Sequence, residues 1–263
     1  MLRIATWNVN SVRVRLEHIA RFTQETAPDV LCLQETKARD TDFPTDALTE
    51  MGYKHQIFAG IPSYNGVAVL AKTPIVESDA PRLDSNDARH LSVSLPEYDL
   101  SLDNVYVPAG GDIPDPELND KFAYKLDFMA KLIEKMTLEK PKRYIILGDI
   151  NIAPGEYDVF SHRQMLKVVS HTPVEIAAFE ALIKSNDWHN SLRADIPEPQ
   201  RLHSWWSYRV REWQPESRGL LLDHLLLSPD LKPHQHQAFL VQETRGWQPK
   251  PSDHAPLVID LAL

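Results

Sequence analysis

The 263-residue sequence predicts an α+β fold in which sheets are covered by helices, rather than an all-β barrel. Short apolar runs that read as strands are spread among amphipathic, helix-like segments along the whole chain, and several strands follow one another in hairpin-like succession. The connections agree: the twenty prolines sit mainly between these segments and there are only nine glycines, so the loops read as stiff.

"LRIAT" opens the chain as a strand and "RVRLEHIARFTQE" follows with helical spacing. "VLCLQE", "GVAVLA", "HLSVSL" and "LSLDNVYV" read as the next strands. In "DKFAYKLDFMAKLIEKM", Phe122, Leu126, Met129, Leu132 and Ile133 recur at the three-to-four spacing of one buried helix face. "YIILGD" is again a strand, "VEIAAFEALIKS" a helix, and "LLLDHLLLS" and "PLVIDLAL" are the last strands. No linker, internal repeat or low-complexity segment interrupts the series, so residues 1–263 are expected to form a single domain.

With 43% hydrophobic and 25% charged residues, the chain has the composition of a globular protein with a large core. The single cysteine, Cys32, excludes an internal disulfide and a Cys-based zinc cluster, and it reads as a small core residue. Met1 leads straight into "LRIATWN" without a signal-peptide pattern, and no apolar run approaches the ~18 residues of a membrane helix. The expectation is a monomer in a reducing, bacterial-type cytoplasm, used at the nucleoid and not at a membrane. A net charge of −9 argues against a protein that coats nucleic acid through bulk positive charge. It leaves room for an enzyme that meets nucleic acid at one site, where a bound divalent cation inverts the local sign.

The strand ends carry the functional signal. "IATWNVN" finishes on Asn8 and Asn10, "VLCLQET" on Glu35, "LDNVYVP" on Tyr106, and "IILGDIN" on Asp149 and Asn151. "LLLDHLL" holds Asp223 in its apolar run, and "KPSDHAPL" places Asp253 and His254 before the final strand. Taken singly, these are ordinary turn, cap or wet-edge residues; together, six segments deliver acids, amides, a phenol and an imidazole. Glu35 and Asp253 are hard oxygen ligands suited to Mg²⁺ or Mn²⁺. Asp149 can take a proton from an attacking water while Asn151 fixes its geometry, and Asp223 can keep His254 oriented and cationic against a phosphate oxygen. That combination is phosphodiester hydrolysis.

"WNVNSVR", "PDVLCLQETK", "NVYVP", "ILGDINIAP", "LLLDHLLLS" and "KPSDHAP" together resemble the signature set of the exonuclease III family of apurinic/apyrimidinic endonucleases, within the endonuclease/exonuclease/phosphatase fold. The match runs in order along nearly the whole chain, and "LQETK" and "SDHAP" are specific to the DNA-repair branch. The resemblance implies a four-layer, DNase I-like sandwich of two packed mixed β-sheets flanked by helices. It also implies Mg²⁺-dependent cleavage of double-stranded DNA on the 5′ side of an abasic site, with 3′-to-5′ exonuclease and 3′-end-cleaning activity. In it Glu35 is the principal metal ligand with Asn8 beside it, Asp253 supports the metal or the leaving group, and Asp149 and Asn151 hold and orient water at the same metal site. Tyr106 touches the scissile phosphate, and His254, held by Asp223, stabilises the transition state.

For grip, "HSWWSYRVREW" supplies Trp205, Trp206, Tyr208 and Arg209, surfaces of the kind that pack against sugars and bases. The resemblance makes Trp205, Leu220 and Leu222 the walls of a pocket for a flipped, baseless sugar; at least one of the two tryptophans is expected in the core. Asn10, Arg13, Lys37 and Arg209 are the leading substrate contacts, with Lys121, Lys125, Arg163, Lys167 and Arg211 as further phosphate candidates. The chain departs from the family at Ala109, where relatives usually carry Asn or Gln, and at Leu221, where an Arg commonly stands near Asp223. A same-fold hydrolase of inositol phosphates or lipid headgroups is disfavoured by "LQETK", "KPSDHAP" and the tryptophan pair. A non-catalytic DNA-binding module is disfavoured by the complete acid, amide and histidine set.

Overall fold

The computed structural model describes residues 1–83, 87–210 and 213–263. Among these, the strands in chain order are β1 (Leu2–Asn8), β2 (Val30–Gln34), β3 (His55–Ile61), β4 (Tyr64–Ala71), β5 (Val76–Glu77), β6 (His90–Leu95), β7 (Leu100–Tyr106), β8 (Tyr144–Asp149), β9 (His189–Asn190), β10 (Asp223–Leu227), β11 (Gln235–Leu240) and β12 (Leu257–Leu261). The helices are α1 (Leu16–Thr26), α2 (Thr45–Glu50), α3 (Asp120–Glu139), α4 (His162–Met165), α5 (Pro173–Ser185) and α6 (Ser191–Asp195). No described helix is long and apolar enough to cross a membrane.

The strands form two six-stranded mixed sheets, ordered β11-β12-β1-β2-β4-β3 and β5-β6-β7-β8-β10-β9. Side chains alternate between the faces of a strand, and here both faces are covered, so the central strands are apolar almost throughout. From β1, Leu2 and Ile4 point into the core between the sheets, where they join Cys32, Val69, Leu147, Leu225 and Ile259. Ala5 and Trp7 point outward and pack with Ile19 and Phe22 of α1. On the other sheet Val105, Ile146 and Leu226 point outward against Phe128, Met129 and Leu132 of α3 and Phe179 and Leu182 of α5. The result is helix, sheet, sheet, helix: the four-layer sandwich the resemblance implied. Burying a Leu or Phe side chain in such a layer contributes about 1.5–3 kcal/mol.

Three details differ from the sequence expectation. Four strands, β3, β5, β9 and β11, were not anticipated, and all four are sheet edges: β5 and β9 are only two residues long, while "HQIFAGI" and "QHQAFL" are half-buried strands whose polar positions dilute the apolar signal. The α3 face is Phe122, Lys125, Phe128, Met129, Leu132 and Met136, with Leu126 and Ile133 only half-buried. The strand in "LLLDHLLLS" begins at Asp223, so this acid heads β10 instead of lying within it.

Candidate active site

Register brings the polar tips together. In the second sheet Tyr106 pairs with Asp149 and Asp149 with Asp223, so three strands end in one row. In the first sheet Asn8 pairs with Gln34, which sets Glu35 beside it. Gly148 makes the close approach of β8 to β7 feasible: at φ +130°, a Cβ there would lie 2.0 Å from the Val105 carbonyl oxygen. Asn10, Glu35, Lys37 and Asn151 all have φ between 45° and 54°. Such left-handed backbone costs on the order of 1 kcal/mol or more per non-glycine residue and persists only where the surroundings enforce it.

Asn8 crosses between the sheets: its amide nitrogen donates to Glu35 Oε1 and to Asp149 Oδ2, both at 2.9 Å. The Tyr106 hydroxyl donates to Glu35 Oε1 at 2.9 Å. The Asn151 backbone N–H donates to Asp149 Oδ1 at 2.9 Å, and its side-chain amide donates to the Val107 carbonyl, also at 2.9 Å. His254 donates from Nδ1 to Asp223 Oδ2 at 2.8 Å and presents Nε2 to Asp149 Oδ2 at 3.7 Å. Glu35, Asp149 and His254 each offer one ligand-type atom, all within 4.8 Å of one another.

Burial pushes the Asp149 carboxyl up to about 7, against the favourable charge of His254. Burial alone would lower His254, but the Asp223 and Asp149 carboxylates more than reverse this and raise it to about 10. The imidazole is therefore a cation at neutral pH, oriented by Asp223. For Glu35, burial raises and the Lys37 ammonium lowers, and the balance lies below the ordinary carboxylate range. Burial and the Glu35 charge raise the Tyr106 phenol, keeping it a neutral donor.

The donor set fits a hard divalent cation held by Glu35 and Asp149. Both are carboxylates, no thiolate is near, and Lys37 already places a positive charge 2.8 Å from Glu35 Oε2. Two predicted ligands are arranged differently. Asn8 turns its amide nitrogen, not its oxygen, toward the carboxylates, because its oxygen accepts the Asn10 backbone N–H at 3.1 Å. Asp253 stands outside the trio, accepting from Asn10 Nδ2 and Trp205 Nε1 at 3.0 Å each.

Beside this centre lies a cavity of about 430 Å³ whose apolar wall includes Trp205, Leu220, Leu222, Phe160 and Met165. Trp205 reaches it through isolated β-bridges to Leu220 and His254, while Trp206 is fully buried, so one tryptophan serves the pocket and the other the core. Leu221 points into the core between the sheets, and Ala109 lies on the pocket rim. Among the cationic candidates, Arg13, Lys121, Arg163, Lys167 and Arg209 are exposed; Arg211 lies outside the described residues. Lys37 is committed to Glu35 and to Asn10 Oδ1, 2.6 Å away. Lys125 is corrected outright: it is fully buried and ion-paired with Glu175, so it reaches no phosphate.

Residues the sequence reading passed over also shape the site. Ser204 donates to Asp223 Oδ2 at 2.6 Å and accepts the Leu222 and Asp223 N–H groups, fixing the acid that orients His254. Trp7 Nε1 donates to the His254 carbonyl at 3.0 Å. Arg218 stands at the pocket rim over the Phe160 ring. Trp7 and Ser204 lie inside quoted motifs and Arg218 just before one, so nearness to those motifs was the available signal.

The family model described as "Endonuclease/Exonuclease/phosphatase family" matches residues 5–254. Exodeoxyribonuclease III of Haemophilus influenzae is 29% identical over 269 residues, covering 97% of this chain and 98% of its own length. The DNA repair nuclease APEX1 of Danio rerio is 27% identical, covering 100% of this chain and 83% of its own. Among solved structures, an AP endonuclease from Archaeoglobus fulgidus superposes with a TM-score of 0.91 at 29% identity, covering 100% of both chains. A 3′ phosphatase from Neisseria bound to a product DNA hairpin does so with a TM-score of 0.88 at 30% identity, again covering 100% of both chains.

Proposed function

The chain belongs to the endonuclease/exonuclease/phosphatase family, and within it to the exonuclease III family, and from that premise we propose that it hydrolyses the phosphodiester on the 5′ side of an abasic site in duplex DNA. Trimming of 3′ ends, by 3′-to-5′ exonuclease and 3′-end-cleaning action, is part of the same proposal, as is a cytoplasmic place of work. The observation that carries it is a juxtaposition: the Glu35, Asp149 and His254 cluster opens directly onto the apolar cavity walled by Trp205, Leu220 and Leu222. An apolar pocket of this kind suits a sugar without its base, and the polar cluster beside it suits the phosphate attached to that sugar.

In this reading Asp149 accepts the proton of the attacking water, and Asn151, tied to Asp149 and to Val107, fixes the direction of approach. The His254 imidazolium neutralises charge growing on the phosphate oxygens, and Asp223 holds the ring for that task. Tyr106 contributes its hydroxyl at the same centre. Glu35 with Asp149 would hold Mg²⁺, which when bound supplies Lewis-acid charge at the phosphate. Trp205 and Asp253, hydrogen-bonded to each other, form part of the cavity wall, and contacts to the duplex are assigned to Asn10, Arg13 and Arg209.

The test is a duplex carrying one synthetic abasic site. Purified protein is expected to nick it with Mg²⁺ and to leave it intact in EDTA; uncut DNA at high enzyme with full Mg²⁺ would sink the proposal.

A further inference from the structure

Helix α3 carries a lysine on its buried face, at the position where the helical pattern calls for an apolar residue. Lys125 is fully buried, yet every proton of its ammonium has an acceptor: the Asn151 carbonyl at 2.7 Å, the Ala109 carbonyl at 3.4 Å, and Glu175 Oε1. Glu175 is equally committed. Its carboxylate accepts the Ser170 N–H at 2.9 Å, the Thr172 N–H at 3.1 Å and the Thr172 hydroxyl at 2.6 Å, and it closes the capping box of α5. Gly110, at φ +90°, lets the backbone close on the lysine stem, where an added Cβ would sit 3.0 Å from Lys125 Cδ.

The three segments joined here, at Ala109, Asn151 and Ser170, all line the cavity beside the catalytic cluster. A buried ion pair is weak evidence for stability, because desolvation offsets most of the attraction. A pair that also spends its hydrogen bonds on three pocket segments has a different use. Resting on the phosphodiester reading above, we propose that Lys125 and Glu175 form a positioning clamp, which holds Asn151 in its left-handed conformation on one side and the Ser170 segment of the pocket wall on the other. The clamp touches neither substrate nor metal; it acts through Asn151 and the wall. Burial lowers Lys125 from its ordinary value while Glu175 opposes that, consistent with an ammonium retained only because its counter-ion is built in.

The test replaces both partners, since removing one strands the other. Lys125→Met/Glu175→Gln keeps the volume and the capping acceptor while abolishing the charge pair. On abasic duplex, kcat is expected to fall at least ~10-fold with KM changed less than ~3-fold, as for a misplaced catalytic loop. A folded double variant with kcat within about twofold of the wild type, or one that raises KM alone, overturns the clamp. Hydrogen exchange on the wild type supplies an arm independent of turnover and of the variant's folding. The Ser170 and Thr172 amides are expected to be protected, and exchange as fast as an exposed loop overturns the clamp as well. A wild type that cuts no abasic duplex sinks the proposed function instead, and the two failures are thereby told apart.

Discussion

Asp103 on β7 and Asp149 on β8 are buried carboxylates on adjacent strands of one sheet, and their surroundings drive them in opposite directions. Asp103 accepts the Tyr144 hydroxyl at 2.7 Å and the Lys135 ammonium at 2.8 Å, with His90 Nε2 3.1 Å away. Burial would raise it, but the His90 and Lys135 charges outweigh burial and hold it far below the ordinary range. Asp149 is equally buried, but its partners are amides, with His254 at 3.7 Å and two other carboxylates nearby, and burial wins, lifting it to about 7. A carboxylate whose charge is fully compensated is inert scaffold. One left undercompensated at a cavity can exchange protons near neutral pH, which is what a general base requires.

The largest effect expected from this contrast is at Asp149. Asp149→Asn should lose roughly 10²–10⁴-fold in kcat, the usual contribution of a positioned base, while abasic duplex still binds. A parallel loss of binding would assign the residue to grip instead. In the wild type the base form is present above about pH 7, and the His254 cation persists up to about pH 10. Turnover should therefore rise through the first value and fall beyond the second. Added Mg²⁺ favours the Asp149 carboxylate and should move the acid limb to lower pH. A limb that stays fixed across Mg²⁺ concentrations would separate Asp149 from the metal.

Asp103 should respond in stability rather than in turnover. Asp103→Ala strands Lys135 and costs about 3–5 kcal/mol, the scale for breaking a buried pair. Because the folded carboxyl titrates below its unfolded counterpart, near 3.9, its stabilisation is complete above about pH 4 and fades as pH falls further. Denaturant unfolding of both proteins should thus show a gap that narrows on acidification. A gap independent of pH would place the loss in packing, not charge.

The site was legible in the sequence because polar residues that end apolar strands stand out against their own element. Asn8, Glu35, Tyr106, Asp149, Asp223 and His254 all broke a local pattern, and register then gathered them. Lys125 broke a pattern too, since it falls among Phe122, Met129 and Leu132 on the buried stripe, but a lysine on an amphipathic helix is ordinarily accessible, which is why the sequence puts it among the phosphate candidates. Its partner Glu175 lies fifty residues away across two elements. Likewise no spacing rule reveals that the Asn8 amide nitrogen bridges two sheets. Residues that act by breaking a pattern were visible; pairings between distant segments needed the fold.

The smallest effect comes from the same helix. Lys131 on α3 pairs with Asp127 at 2.8 Å, one turn away, with both side chains about half exposed. Water and salt screen such a pair, and holding two long side chains costs entropy that cancels much of the attraction, so Lys131→Ala should change stability by no more than ~0.5 kcal/mol. Cleavage of abasic duplex should be unaffected, because among the described residues this exposed pair has no contact with the pocket. Measured beside Lys125→Met/Glu175→Gln, it controls for simply altering charge on α3. Should Lys131→Ala lower kcat as much as that double variant does, the helix as a whole, and not the buried contact at Asn151, would be what the active site senses.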